Sequence, residues 1–218
     1  VLKDYYDVKI VDPKYNNDVI DDKSDGYIVC VPTPSSDTGA CDMSIIFDVI
    51  KQCPGDKPIL IKSTISLEGW EIISNMNKSI TFSPEFLTAA NANEDFVNAD
   101  RHVIGGHEDW VSPVEYFYKM CYPDIPVFTM KSSESECVKY FANCFLAAKV
   151  MVFNEMRVLV DNIEGVDYDS VMQGVISDRR IGNSHYNVPG PDGDYGFGGT
   201  CFPKDINALI HSMIENNM

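Results

Sequence analysis

Pro58-Ile-Leu-Ile-Lys-Ser-Thr64 is the stretch on which the fold turns. Its apolar residues follow one another without interruption and stop on a lysine and two hydroxyls. Such a run suits a strand buried on both faces, with polar groups at its carboxyl end. The same scheme recurs on either side. Upstream, Tyr27-Ile-Val-Cys-Val-Pro32 opens into the extended loop Thr33-Pro-Ser-Ser-Asp-Thr-Gly39. Downstream, Ile80-Thr-Phe-Ser-Pro-Glu-Phe-Leu87 ends in a Pro-restricted turn presenting Glu85. Val8-Lys-Ile-Val-Asp12, Asp100-Arg-His-Val-Ile-Gly-Gly106 and Val127-Phe-Thr-Met130 read as further strands. Helical patterns lie between them. One runs from Asp42 to Gln52, with Asp42 as cap and Ile45, Ile46, Val49 and Ile50 inward. Others run from Gly69 to Met76 and from Trp110 to Met120, and Val1 to Tyr6 reads as the end of a helix. This alternation predicts an α/β fold with a doubly wound parallel sheet, in part Rossmann-like.

The character changes after Ser133. Glu134 to Ile163 contains no Pro or Gly and carries Val138, Phe141, Phe145, Ala148, Val152 and Met156 at helical spacing. A helix of that length spans roughly 45 Å, more than one small domain covers, so it is expected to bridge two domains and pack against a partner subunit. The division expected is 1–131, a sheet domain, and 132–218, an all-helical domain. Lys139 and Asn143 lie four residues apart and share a face; alone, such a pair reads equally as a solvated Lys and a tolerated Asn. A short helix follows from Asp169 to Gly174. Beyond it come Ser177-Asp-Arg-Arg-Ile-Gly182 and a loop over Tyr186–Asp194.

Tyr195-Gly-Phe-Gly-Gly-Thr-Cys-Phe-Pro-Lys-Asp205 carries the most concentrated chemistry. Glycines permit close backbone approach to a ligand. A thiolate is a strong nucleophile, favoured by a nearby cation or a helix N-terminus. Pro203 suits a first helical turn, and Ile206, Leu209, Ile210 and Met213 continue a helical face, so Cys201 is expected just before a helix, with Lys204 and Asp205 within one turn. The plainer reading is a turn holding a structural cysteine; the Pro-Lys-Asp tail favours a reactive thiol.

The chain has 218 residues and a net charge of −16. That charge argues against nucleic-acid binding, which needs a basic surface. No apolar run approaches the ~20 residues that cross a bilayer. Seven cysteines without a C-x-x-C pair form neither a disulfide framework nor a zinc site, so no metal is expected and a reducing cytoplasm is the simplest compartment. His102 and His107 read as surface or cofactor-proximal residues.

Gly-Phe-Gly-Gly-x-Cys-Phe-Pro-Lys-Asp resembles the nucleophile segment of the UDP-glucose and GDP-mannose 6-dehydrogenases. Val-Pro-Thr-Pro at 31–34, Ile-Lys-Ser-Thr at 61–64, Ser-Pro-Glu-Phe-Leu at 83–87, Lys-x-Phe-Ala-Asn at 139–143 and Asp-x-Arg-Ile-Gly at 178–182 resemble further segments of that family, in order. The resemblance implies NAD as cofactor and a nucleotide sugar, UDP-glucose or similar, as substrate. It implies two successive oxidations of a primary alcohol and a homodimer built on the long helix. Cys201, Lys139, Asn143, Asp205, Thr64 and Glu85 would be catalytic. Asp12, Thr33, Thr64 and Lys204 would meet the cofactor, and Glu85, Phe86, Leu87, Lys139, Asn143, Arg180, Phe197 and Gly198 the substrate. Two departures stand out. No G-x-G-x-x-G loop precedes Asp12, so a front-truncated chain that binds NAD poorly is expected, without a second nucleotide-binding domain behind Met218. The family's second Glu after Glu85 is here Ala89. A sugar-nucleotide-binding or dimer-forming remnant, and a related hydroxyacid dehydrogenase, stay open as alternatives.

Overall fold

A computed structural model of the chain describes residues 6–76, 79–88 and 91–218. The helix end expected over residues 1–6 and the departure at Ala89 therefore lie largely outside the described residues. Five short strands form one sheet in sequential order: β1 (Tyr27–Val29), β2 (Ile59–Ile61), β3 (Ile80–Phe82), β4 (His102–Gly106) and β5 (Val127–Met130). The helices are α1 (Ser44–Gln52), α2 (Gly69–Met76), α3 (Ala92–Val97), α4 (Glu108–Cys121), α5 (Ser132–Val160), α6 (Tyr168–Ile176) and α7 (Cys201–Glu215).

The apolar runs become strands because both of their faces are covered. All three residues of β2 are buried, as are all three of β3. Val29, Ile59, Ile61, Ile80 and Phe82 face α1 and α2 through Ile46, Ile50 and Ile73. Complete burial of an Ile or Phe side chain contributes about 1.5–3 kcal/mol. Of the four residues expected to point inward from α1, Ile46 and Ile50 are buried whereas Ile45 is exposed. Asp42 does not occupy the cap position itself, but its carboxylate accepts the Ser44 N–H at 2.9 Å.

Two expectations need correction. The sheet is mixed: β1–β2, β2–β3 and β4–β5 are parallel, but β3–β4 is antiparallel. After β3 the chain turns at Pro84 and passes through α3, a six-residue helix that the sequence reading did not anticipate, before β4 enters from the opposite end. Reversal of strand direction has a consequence for layering. Right-handed crossovers that continue in one lateral direction place their helix on the other face once the strands are reversed. Accordingly α4 packs on the side of Ile104 through Val111 and Tyr118, with Tyr122 just beyond its end, opposite to α1 and α2. The second correction concerns Val8–Asp12, which is irregular and pairs with no described strand. Without a ladder its backbone is held locally, by the Tyr15 and Asn16 N–H groups on Asp12 O at 2.9 Å each.

Helix α5 starts where the Glu134 carboxylate accepts the Lys131 N–H at 2.8 Å. It crosses the sheet beside β4 at very close range: a Cβ on Gly105 would lie 2.0 Å from Ser135 Oγ and 2.8 Å from Ser132 Cα. Tyr140 joins the sheet's core, whereas Phe153 and Val160, farther along α5, join a separate cluster with Tyr168, Met172 and Val188. Helix α7 lies along α5 and touches the loop after β1, where Gly39, at φ +85°, meets Asn207.

Candidate active site

Three strand ends and two helices converge. Thr33 follows β1, Thr64 follows β2 and Glu85 follows β3; together with Lys204 of α7 and Thr200 just ahead of it they line one cavity of about 780 Å³. The carboxyl ends of the parallel strands are where open α/β sheets accept ligands. The cavity continues along the sheet between Ile28, Cys30, Leu60 and Lys62 on one side and Phe96, Phe117, Tyr118 and Tyr122 on the other.

The spacing of Lys139 and Asn143 brings both to the buried face of α5. Lys139 is 3% exposed. Its ammonium donates to the Glu85 carbonyl oxygen at 2.5 Å, lies 3.5 Å from Glu85 Oε1 and sits over the Phe86 ring at 5.6 Å. Glu85 is itself oriented by the Leu87 N–H, which donates to Oε2 at 2.6 Å. Asn143 Nδ2 donates to Asp205 Oδ2 at 2.6 Å, and Lys204 Nζ donates to Asp205 Oδ1 at 2.6 Å. Asp205 is 0% exposed, and both of its oxygens are bound to strong donors. Thr33 is buried, and the Cys41 thiol reaches Thr64 O at 3.8 Å, tying two of the strand-end loops together.

Cys201 is the first residue of α7, not the residue before it, and is half-buried. Thr200 stands at the cap position with its Oγ1 3.9 Å from Cys201 Sγ. Asp205 follows Cys201 by four residues and therefore lies on the same side of α7. The glycine loop ahead of Cys201 is carried by the second half of α5. Asn154 Oδ1 accepts the Gly196 N–H at 2.8 Å, Arg157 Nη1 donates to Val188 O at 3.2 Å, and Lys149 Nζ donates to Ile181 O at 2.9 Å. Gly196 and Gly199 have φ of +85° and +75°, values that disfavour any side chain. At Gly198 a Cβ would come within 2.5 Å of Asp192 Oδ2, so the loop packs on itself there. Phe197 is half-buried beside it.

Two expected site residues are not brought to this centre. Asp12 is not among the cavity's lining residues, and its Oδ1 accepts the Lys14 N–H at 2.9 Å within a local turn. Arg180, whose side chain is 89% exposed, is bound to Asp178 with Nη2–Oδ2 at 2.5 Å. Of the two readings of His102, surface or cofactor-proximal, burial overturns the first. His102 is buried, with its ring stacked on Tyr118 at 4.1 Å; burial and the Lys62 charge push it down to about 4. His107 caps α4, where its Nδ1 accepts the Asp109 N–H at 3.4 Å. Asn154, which lies within the long helical stretch, was not among the expected site residues. Lys62, which bonds Tyr118 OH at 3.2 Å in the cavity wall, was given no role although it stands at a strand end within the Ile-Lys-Ser-Thr segment.

A sheet that gathers hydroxyls, an acid and a lysine at its strand ends, joined to a long helix bearing Lys139 and Asn143, is an α/β protein with its ligand site at the strand ends. Residues 13–121 match the NAD binding domain of the UDP-glucose/GDP-mannose dehydrogenase family, and residues 133–218 match its central domain. The chain belongs to that family. It is 35% identical over 206 residues to a UDP-glucose 6-dehydrogenase of Rickettsia bellii, covering 89% of this chain and 46% of that protein. It is 32% identical over 204 residues to a UDP-glucose 6-dehydrogenase of Pseudomonas aeruginosa, covering 84% and 43%. A UDP-glucose dehydrogenase structure from Pyrobaculum islandicum superimposes with a TM-score of 0.75 at 30% identity, covering 88% of this chain and 47% of that one. The chain thus spans about half the length of the relatives it matches.

NAD is the cofactor of the matched domain. The cavity fits part of such a molecule. Its lining is mostly apolar and includes Thr33, Thr64 and the Lys204 cation. A pyrophosphate cradle of the G-x-G-x-x-G type does not occur in the sequence.

Proposed function

We propose that the chain carries the catalytic core of an NAD-dependent dehydrogenase that oxidises the primary alcohol of a nucleotide sugar, UDP-glucose or a close analogue, to the carboxylate. The observation that carries this reading is the convergence of Lys139, Asn143 and Asp205 beside the helix that begins at Cys201. On this reading residues 1–131 serve the cofactor, and 132–218 serve the sugar nucleotide and the dimer contact.

NAD, when bound, supplies the hydride acceptor for both oxidations. Thr33, Thr64 and Lys204 would hold it. The chain's own groups do the remaining work. Removal of the alcohol proton is supported by Lys139, Asn143 and a water held by Thr64 and Asp205. Cys201 Sγ then adds to the aldehyde carbon, and the resulting oxyanion is stabilised by the Lys139 ammonium and the Asn143 amide, donors already fixed in place. After the second oxidation the carbon is a thioester of Cys201. Glu85 activates the water that hydrolyses it and frees the thiol. Phe86, Leu87, Phe197 and Gly198 shape the sugar site, and Arg180 meets an anionic part of a substrate from its exposed position, across a dimer contact.

The test is NADH formation by the full-length protein with UDP-glucose, UDP-galactose and GDP-mannose in turn. Two NADH per sugar with one of them supports the reading. Tight sugar-nucleotide binding without any NADH would replace it with a binding-only role.

A further inference from the structure

The contact between α5 and α7 holds more polar groups than the chemistry above uses. Asn143 and Asp205 meet at one point. Seven residues back along α5 lies Glu136, and seven residues on along α7 lies Ser212, each two turns or about 10 Å from that bond. Both helices keep these faces covered: Asp205, Ala208 and Ser212 on α7, and Glu136, Tyr140 and Asn143 on α5, are buried.

Glu136 is 0% exposed, and neither of its oxygens has a hydrogen-bond partner among the described residues. The Tyr140 hydroxyl, one turn on, lies beside the Cys41 thiol without a hydrogen bond of normal length, within electrostatic reach of both Asp205 and Glu136. Ser212 Oγ donates to Glu68 Oε1, and Glu68 is exposed to solvent. Burial and the Glu68 charge push Glu136 up to about 9, so it holds a proton at neutral pH. A buried carboxyl without partners is costly. In folded proteins such groups are usually met by internal water. If stability alone mattered at this position, an apolar residue would serve better.

We propose that Glu136, Tyr140 and Ser212, joined by internal water, form a proton path from Asp205 to the exposed Glu68. The path rests on the dehydrogenase reading, because each alcohol oxidation leaves a hydroxyl proton at the site. That proton passes from the water on Asp205 through the Tyr140 hydroxyl to one oxygen of Glu136. Glu136 releases its own proton from the other oxygen, through Ser212 Oγ to Glu68 and bulk water. Every relay group ends as it began, and no electron moves. Glu136 touches no reacting atom and acts as a relay.

The experiment follows NADH appearance and proton release together in the full-length protein with NAD and UDP-glucose, in weak buffer with a pH indicator. Glu136→Gln keeps the shape and removes the relay. It is expected to lower kcat about tenfold with KM unchanged, less than the 10²–10⁴-fold lost with a general acid or base that touches substrate. It should also enlarge the H2O/D2O effect on turnover and respond to added imidazole, while Glu136→Asp retains most of the rate. Glu68→Gln and Ser212→Ala, tested in parallel, should move the same readouts in the same direction, whether or not the Glu136 variant folds. Unchanged kcat and isotope effect in folded Glu136→Gln would overturn the proposal. So would a loss of rate that neither imidazole nor Asp restores and that leaves the isotope effect unchanged. An unsubstituted protein that makes no NADH would remove the dehydrogenase reading itself, and the path with it.

Discussion

Asn143 and Asp205 are joined at 2.6 Å, a bond that ties the long helix to the helix led by Cys201 through a fully buried carboxylate. The other oxygen of Asp205 belongs to Lys204. One aspartate therefore fixes the relative setting of both helices and the cation at the cavity's end.

Asp205→Ala removes the acceptor for both donors and leaves Asn143 buried without it. Breaking a buried charged pair in this way costs about 3–5 kcal/mol. Urea unfolding should show that loss, and Asp205→Asn, which keeps the shape, should lose less.

Lys139 is the buried ammonium that Glu85 holds by its carbonyl oxygen. Lys139→Met should lower kcat by about 10²-fold or more, the scale of losing one preorganised donor to an oxyanion. KM should change little. A large rise in KM with kcat unchanged would move Lys139 from the reaction to ground-state binding.

Stability should respond to pH in two windows. His102, pushed from 6.5 down to about 4, is neutral in the fold where the unfolded chain binds a proton. Its contribution is complete above 6.5 and is lost as pH falls toward 4. Glu136, raised from 4.5 to about 9 among Glu68, Tyr140 and Cys137, does the opposite. Its contribution is complete below 4.5 and is lost as pH rises through 9. The two oppose each other between 4.5 and 6.5. Above 6.5 Glu136 alone acts, with a slope of at most about 1.4 kcal/mol per pH unit. Thermal melts of Glu136→Gln should be flatter than those of the parent chain in that upper range.

The outer face of α5 exposes Phe141, Phe145, Val152 and Leu159, with Phe145 at 70%. Apolar residues in such number along one helix mark a contact surface. If the dimer contact proposed above uses this face, Phe145→Glu should lower the sedimentation coefficient from that of a dimer to that of a monomer, and an unchanged coefficient would rule this face out.

Much of this was legible in the chain because its signals are local. The apolar runs at 59–61 and 80–82 become strands, Gly69–Met76 is a helix as read, and the spacing of Lys139 and Asn143 already puts them on one face. What escaped depends on distant partners. The direction of β4 against β3 is a matter of how the chain returns after Pro84. Val8–Asp12 has the composition of a strand, yet composition cannot supply a neighbour to pair with. His102 and Glu136 look like surface residues until packing removes them from water, and Gly105 shows its purpose only when Ser135 comes against it. Asp12 entered the expected site as the acid that closes a strand-like run, and Arg180 through resemblance, and the fold leaves both away from the centre.

The most direct measurement is the mass of the protein quenched during turnover with NAD and UDP-glucose, followed by peptide mapping. An acyl adduct of the sugar nucleotide is expected on the peptide containing Cys201, absent from Cys201→Ser. Absence of any adduct, with Cys201→Ser forming the acid at the parent rate, would contradict it.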